Sequence, residues 1–477
     1  MNAVSRSDLE WLTGNRPYTR ALPERVRPNK RGAAFPGEAT SANQNLGTQR
    51  TPTRSRFGLG SHFHFQYDKH RTDTFEYMTK KPIVFFVNHL HKGGMQRAIA
   101  NITSALSPDF PTIVAFFGTE DPGYDFGGKL IELGEPGQLS ISLMSRIVKT
   151  IKRIFIFRRM IREIGAETVI SFGESSALFN LLSGASNRII SVRVSIREFT
   201  KEFSRINRLY AKLLIFFGYR HASSIISVSD EIKEELTTNF SIPSGKISVI
   251  NNLYDGDSIR SSSLESLPDD HEEIFRDPVV LNVGSLCHQK GQVYLIDAFH
   301  HLLEHKSAAR LVFIGRGEDK DKLSERANGL GIGSRVHFLG HQSNPYRYMR
   351  RCHTFALSSL YEGFPNVLVE AMFCGAPVIS FDCPTGPREI IKFSRGNDEA
   401  SGGKFGILVP RKALEGNPEE AAKLLSIEML KMFEPGISEH YKALSLLRSG
   451  DFNKGMIIGQ WIDAIRGRKR SCNDLAT

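Results

Sequence analysis

Ser358-Ser-Leu-Tyr-Glu-Gly-Phe-Pro-Asn-Val-Leu-Val-Glu370 reads as the exit of a strand, a short loop and the opening of a helix. The apolar run Thr354–Leu357 precedes it, and Pro365 stands where the helix would begin, a first-turn position that suits a residue without an N–H. A helix start presents free backbone N–H groups and partial positive charge, which makes it a ready site for phosphate or sugar oxygens. Gly363 lets the backbone approach a ligand closely. Glu362 on the loop and Glu370 inside the helix can aim into one cleft and accept hydrogen bonds from hydroxyls. The same spacing fits a capped helix carrying two solvated glutamates, and on spacing alone both readings stand.

Outward from this stretch, short apolar strands alternate with amphipathic helices, the pattern of parallel α/β sheets. One series comprises Ile83–Val87, Thr112–Phe117, Thr168–Phe172, Arg188–Arg193, Ser224–Val228 and Ile247–Ile250. A second comprises Val279–Val283, Arg310–Ile314, Val336–Leu339, Thr354–Leu357, Pro377–Ser380 and Gly406–Val409. Between them Asn251–Asp277 turns polar and reads as an interdomain linker. A chain of 477 residues exceeds one compact core, since domains run to about 100–200 residues. The expectation is two doubly wound domains with ligands held at the carboxyl ends of the strands, in the cleft between them.

The five cysteines are scattered and form no C-x-x-C pair, which argues against a disulfide framework or zinc site and for a reducing compartment. No apolar run approaches the roughly 18–20 residues needed to span a bilayer, and no secretory signal core is visible. Residues 1–78 are rich in Arg, Pro, Ser and Asn without sustained periodicity and read as unfolded. The aromatic stretch Phe63–Tyr67 does not fit that reading. Order begins abruptly after Met78, so the preceding segment is either a disordered tail or a non-native extension ahead of a start at Met78.

The net charge is +11, and residues 146–220 hold 15 Lys/Arg against 5 Asp/Glu. Within that region Arg146, Lys149, Lys152, Arg153, Arg158, Arg159 and Arg162 interleave with Ile147, Ile151, Ile154, Phe155 and Met160. At helical spacing this is a basic amphipathic helix able to lie on acidic lipid. It fits equally an ordinary surface helix with its apolar stripe turned inward. A second basic helix is expected at about Lys201–Lys212. No nucleic-acid motif accompanies the charge, and no nucleic-acid partner is expected.

The Glu362–Glu370 stretch, in its E-G-F-P-N-V-L-V-E context, resembles the signature of family 4 retaining glycosyltransferases of the GT-B fold. Its companions occur in order. Val283-Gly-Ser-Leu-Cys-His-Gln-Lys-Gly291 resembles V-G-R-L-x-x-x-K-G, and Phe313-Ile-Gly-Arg-Gly317 resembles I-V-G-x-G. Val336-His-Phe-Leu-Gly340 is similar to V-x-F-L-G, Ala371–Val378 to A-M-A-C-G-x-P-V, and Phe405–Pro410 to G-x-L-V-P. In the first series Lys92-Gly-Gly-Met-Gln-Arg97 resembles the G-G-x-E-R loop. The resemblance spans about residues 82–465 and is looser in the first half.

It implies an α/β GT-B enzyme of two Rossmann-like domains facing a cleft. The domains would be 79–258, joined by a returning helix 454–466, and 259–453, with 467–477 as a tail. It implies a nucleoside-diphosphate sugar, UDP-linked, as substrate and no separate cofactor or metal. Lys290 would stabilise the departing diphosphate and Glu362 would contact the transferred sugar. Glu370 would hold the ribose. Ser285, Gly363, Phe364, Pro365, Asn366 and Val367 would line the donor, and Gly93, Gly94 and Arg97 would form the loop closing over diphosphate and acceptor. The stretch Asp382–Ile390 is similar to members that add N-acetylhexosamines to polyprenyl-diphosphate-linked glycans. That implies surface polysaccharide or lipopolysaccharide synthesis at the cytoplasmic face of the plasma membrane. A GT-B sugar-nucleotide epimerase and a catalytically silent glycan-binding scaffold are the alternatives.

Three departures stand out. Ser285 replaces the usual arginine, so one cation is missing beside Lys290. Gln96 replaces the loop glutamate. No first-domain histidine is found, and Glu174, in its place, reads either as a candidate for acceptor contact or, more readily, as a solvated helix-start carboxylate. Of the two D-x-D strings, Asp255-Gly-Asp257 falls in the linker and Asp319-Lys-Asp321 at a helix start, where carboxylates favour the positive dipole end. Gly315-x-Gly317-x-x-Lys320 lacks the third glycine of a dinucleotide fingerprint.

Overall fold

Runs of β-branched and aromatic residues build two all-parallel sheets in a computed structural model that describes residues 55–56, 80–90, 93–119, 123–134, 143–201, 205–392 and 402–468. Met78, Phe63–Tyr67, Lys92 and the expected tail beyond 468 lie outside the described residues. The first sheet contains β1 (Ser55–Arg56), β2 (Ile83–Phe86), β4 (Thr112–Phe116), β6 (Lys129–Glu132), β7 (Thr168–Phe172), β8 (Asn187–Val192), β9 (Ser224–Ser227) and β10 (Ile247–Val249). Its order is β1-β6-β4-β2-β7-β8-β9-β10. A separate parallel pair, β3 (His89–Leu90) and β5 (Gly118–Thr119), extends from its carboxyl end. All four residues of β2 and all five of β4 are buried, as expected when helices cover both faces. The unforeseen strand β6 is half-exposed at its start, which weakened its apolar signal. Ser55–Arg56 pairs with its end, so the segment before residue 79 is not wholly without structure.

The second sheet runs β13-β12-β11-β14-β15-β16, comprising Val336–Phe338, Arg310–Ile314, Val279–Val283, Thr354–Leu357, Val378–Phe381 and Ile407–Val409 respectively. This is the doubly wound order, whose direction of winding reverses between β11 and β14. Ligands of such sheets bind at that reversal, beyond the carboxyl ends of the strands. The loops leaving β11 and β14 are Gly284–Gly291 and Ser358–Pro365, the segments that carry the candidate residues.

The polar stretch after Asn251 is not a loose linker. It folds into the helices Gly256–Ser263 and Asp269–Glu272, with Leu253, Tyr254 and Leu267 buried. The expected boundary at 258/259 therefore falls inside a helix, capped by Asp255, whose carboxylate accepts from the Ser258 N–H at 3.0 Å. The helix Lys454–Ile465 lies against the first sheet's layer. Trp461 is fully buried there and stacks on Phe172 with ring centroids 6.1 Å apart, and Asn187 Nδ2 donates to Ile465 O at 2.9 Å. Among the described residues, no helix is long and apolar enough to cross a membrane.

Candidate active site

The loops after β11 and β14 are joined side by side. Leu360 N–H donates to Gln289 O (2.8 Å), Gln289 Nε2 to Tyr361 O (2.9 Å) and Ser358 Oγ to Lys290 O (2.9 Å). Gly291 makes this possible. Its φ is +58°, and a Cβ there would stand 2.2 Å from Ser358 O. The contact brings Lys290 Nζ to 2.6 Å from Glu362 Oε1, which also accepts from Ser359 Oγ at 2.7 Å. Burial pulls the Lys290 ammonium toward neutrality, but the Glu362 carboxylate beside it prevails and raises its pKa above the ordinary lysine value. Lys290 is thus a fixed cation at neutral pH. Ser285 is exposed nearby, and its carbonyl accepts from Gln292 Nε2 at 2.9 Å.

Past Glu362 the backbone is held by Thr385, whose Oγ1 donates to Glu362 O (3.1 Å) and Gly363 O (2.7 Å). The two domains meet at Gly363: a Cβ there would lie 1.7 Å from the carbonyl oxygen of Arg193. Phe364 is buried edge-on to Phe452, with centroids 5.9 Å apart. The helix is Asn366–Phe373, so Pro365 is its N-cap, one position earlier than expected. Proline has no side-chain acceptor, and the helix start carries no side-chain cap. Asn366 and Val367 are partly exposed at that start.

Asn366 and Glu370, one helical turn apart on the same face, both point at the first domain. Asn366 Oδ1 accepts from Asn252 Nδ2 (2.6 Å) and Tyr254 OH (2.8 Å). A Cβ on Gly94 would lie 3.5 Å from Asn366 Nδ2, so the Gly93-Gly94 loop directly faces the helix start. The Glu370 carboxylate is buried, and Arg97 Nη1 reaches its Oε1 at 2.8 Å. Glu370 raises the Arg97 pKa further, and Tyr346 OH hydrogen-bonds the same guanidinium. The structure therefore brings Lys290, Glu362, Gly363, Asn366, Glu370, Gly94 and Arg97 to one seam between the domains.

Other expectations fare differently. Gln96 is buried and donates to His89 O at 3.2 Å, so it serves the first domain's interior. Glu174 is not solvated. It opens the helix Glu174–Leu181 but is buried, and burial, with Glu235 nearby, raises its pKa to about 7. Asp382 is fully buried and paired with Arg388. Asp257 pairs with Arg260 at 2.8 Å and Asp319 stands at the N-cap of Lys320–Gly329. Among the described residues, no group of three or more His, Cys, Asp or Glu is placed to hold a metal ion. The basic helix spans Leu143–Glu163 and turns Phe157, Met160 and Ile161 inward while leaving Val148, Ile151 and Phe155 exposed. Asn252, Tyr254, Tyr346 and Thr385 were not anticipated. Only the unusual Asn251-Asn-Leu-Tyr254 run within a polar stretch could have signalled the first two.

Two Rossmann-like domains, the second of which sets a lysine–glutamate pair from adjacent loops ahead of an uncapped helix start at the seam, define a glycosyltransferase of the GT-B class. Comparison with known proteins agrees. The patterns described as Glycosyltransferase Family 4 and Glycosyl transferases group 1 match residues 92–257 and 265–398. An uncharacterized glycosyltransferase of Methanocaldococcus jannaschii is 33% identical over 345 residues, covering 67% of this chain and 84% of that protein. The Campylobacter jejuni N-acetylgalactosamine-N,N'-diacetylbacillosaminyl-diphospho-undecaprenol 4-alpha-N-acetylgalactosaminyltransferase is 29% identical over 327 residues, covering 68% and 84%. The crystal structure of Anabaena HepE in complex with UDP and glucose superposes with a TM-score of 0.62 at 18% identity, covering 81% of this chain and 99% of that one. The chain belongs to glycosyltransferase family 4, among relatives named for lipopolysaccharide, amylovoran and undecaprenol-linked glycan synthesis.

Proposed function

We propose that this glycosyltransferase moves an N-acetylhexosamine from a UDP-linked donor to a polyprenyl-diphosphate-linked glycan, with retention at the anomeric carbon. The observation that carries the reading is the Lys290–Glu362 pair, 2.6 Å apart at the winding reversal of the second sheet and beside the open helix start. Lys290 supplies fixed positive charge to the diphosphate. The backbone N–H groups of Gly363, Phe364, Asn366 and Val367 and the Asn366 amide line its oxygens, while the Pro365 carbonyl accepts from Leu368 N–H at 3.0 Å within the helix. Glu362 accepts from sugar hydroxyls, and Glu370 from the ribose hydroxyls. Gly93 and Gly94 leave room for the diphosphate under the first domain, and Arg97 adds charge there where Ser285 adds none. The bond from the anomeric carbon to the phosphate oxygen breaks. The acceptor oxygen bonds to that carbon on the same face, and its proton passes to the leaving phosphate oxygen. No cofactor is needed for this balance. Charge stabilisation placed where charge develops is commonly the largest catalytic contribution.

The undecaprenyl-linked acceptor in the name of the Campylobacter relative supports the lipid-linked acceptor. The basic helix Leu143–Glu163 supports work at the cytoplasmic membrane face, as a peripheral protein on acidic lipid. The test is a binding screen of UDP-, GDP- and other nucleotide sugars, followed by transfer to a polyprenyl-diphosphate glycan. Lys290→Ala and Glu362→Ala should each lower transfer by about 10²–10³-fold; unaltered turnover in both would remove this site from the account.

A further inference from the structure

Arg193 follows β8 and is buried, with no carboxylate paired to it among the described residues. Its guanidinium lies over Phe172 and Trp461, at 5.2 and 5.7 Å from the ring centroids, and Nη1 donates to Asn252 Oδ1 at 2.7 Å. Burial lowers its pKa to about 10, so it remains a cation at neutral pH. An arginine only donates. Asn252 must therefore turn its carbonyl to Arg193, which leaves its Nδ2 to donate onward, and it does so to Asn366 Oδ1 at 2.6 Å. The Tyr254 hydroxyl, pushed well above its ordinary pKa by burial and Glu370, keeps its proton and donates to the same oxygen at 2.8 Å. With Oδ1 occupied twice, the amide cannot flip without setting Nδ2 against Nδ2. Asn366 Nδ2, which makes no hydrogen bond among the described residues, is then the group turned toward Gly94.

We infer that Arg193, Asn252 and Tyr254 are positioning residues, a first-domain relay of fixed polarity that holds Asn366 as a hydrogen-bond donor to the diphosphate of the sugar nucleotide. This rests on the proposed donor site. It explains why the start of a second-domain helix is oriented by residues of the first: an amide presented the other way would aim a carbonyl at an anion. It also gives the diphosphate a neutral donor, where Ser285 supplies no second cation. Because the relay crosses the seam, it holds the amide only while the domains are together.

The test is a double-mutant cycle of Asn252→Leu and Asn366→Ala, reading UDP and uridine affinity by calorimetry in the full chain. A hydrogen bond to a charged group is worth roughly tenfold or more in affinity. Asn252→Leu should weaken UDP about tenfold, leave uridine within about twofold, and have almost no further effect on UDP once Asn366 is alanine. Tyr254→Phe should behave alike with a smaller loss. Additive losses in the cycle, or equal losses for uridine and UDP, would overturn the relay and leave the donor site standing. A wild-type protein that binds no nucleoside diphosphate would overturn the donor-site reading and the relay with it.

Discussion

Arg97, in the first turn of the first domain's helix Gly94–Leu106, holds Glu370 of the second domain's helix Asn366–Phe373 through an Nη1–Oε1 contact of 2.8 Å. Glu370 is 1% exposed and Arg97 half-buried. A buried carboxylate stripped of its partner is costly, whereas loss of both charges together is often nearly neutral. In the proposed reaction the ribose hydroxyls take the place of this guanidinium, which is released toward the diphosphate.

Arg97→Met is therefore expected to destabilise the ligand-free protein by about 2–4 kcal/mol, and adding Glu370→Gln should restore most of that. Urea denaturation of the two single variants and the double measures it. A double variant as unstable as the sum of the singles would show that the pair is not coupled across the seam.

Lys290 gives a pH dependence of definite sign. Its pKa is raised in the folded chain, since Glu362 outweighs burial. The pair's contribution is fully present below the unfolded lysine value of about 10.4 and is lost as pH climbs through the higher folded value. The difference in melting temperature between wild type and Lys290→Met should stay constant from about pH 7 to 9.5 and change only above that. A difference that already fades near pH 8 would mean the ammonium loses its proton in the folded chain.

Glu174 behaves oppositely to a paired carboxylate. Burial, then Glu235, raises its pKa to about 7. The folded chain holds its proton where the unfolded chain, with a carboxyl pKa of about 4.3, has released it. Stability from this group is full below about pH 4.3, falls as pH rises to 7, and is level beyond. Glu174→Gln should match wild type near pH 4.5 and exceed it by on the order of a few kcal/mol at pH 8. Melting curves across that range decide it; a variant less stable than wild type at pH 8 would place a hydrogen-bonded carboxylate there.

What could be read from the chain divides along physical lines. Lys290 and Glu362 are 72 residues apart, yet each sits in a loop whose glycines and flanking strands are visible locally, so their meeting follows from the winding of one sheet. Asn252 and Asn366, 114 apart, meet only because two separately folded sheets face each other, and nothing local encodes that. Tyr254 was hidden because its neighbours are polar, although it packs on Phe373 with centroids 5.9 Å apart. Glu174 was misread because acids at helix starts are usually solvated, and the burial comes from elements far along the chain.

The helix Leu143–Glu163 carries two apolar stripes. Phe157, Met160 and Ile161 enter the first domain's core, while Val148, Ile151 and Phe155 are 57, 48 and 67% exposed on another face. The inward packing that could have accounted for all its apolar residues thus accounts for only some. Lys152, Arg158, Arg159 and Arg162 are exposed around the outer stripe. Arg153 lies over the Phe117 ring at 5.0 Å and is a poor target, because replacing it disturbs packing. Burying one phenylalanine in lipid is worth about 1.5–3 kcal/mol, and each cation near an anionic surface about 1 kcal/mol. Phe155→Asp should therefore weaken binding to phosphatidylcholine–phosphatidylglycerol vesicles by about tenfold or more. The pair Lys152→Glu, Arg158→Glu should abolish the preference for anionic over neutral vesicles, and with it the loss of binding at high salt. Co-sedimentation reads both. Vesicle binding unchanged in both variants would assign this face to some other contact and detach the membrane from the enzyme's account.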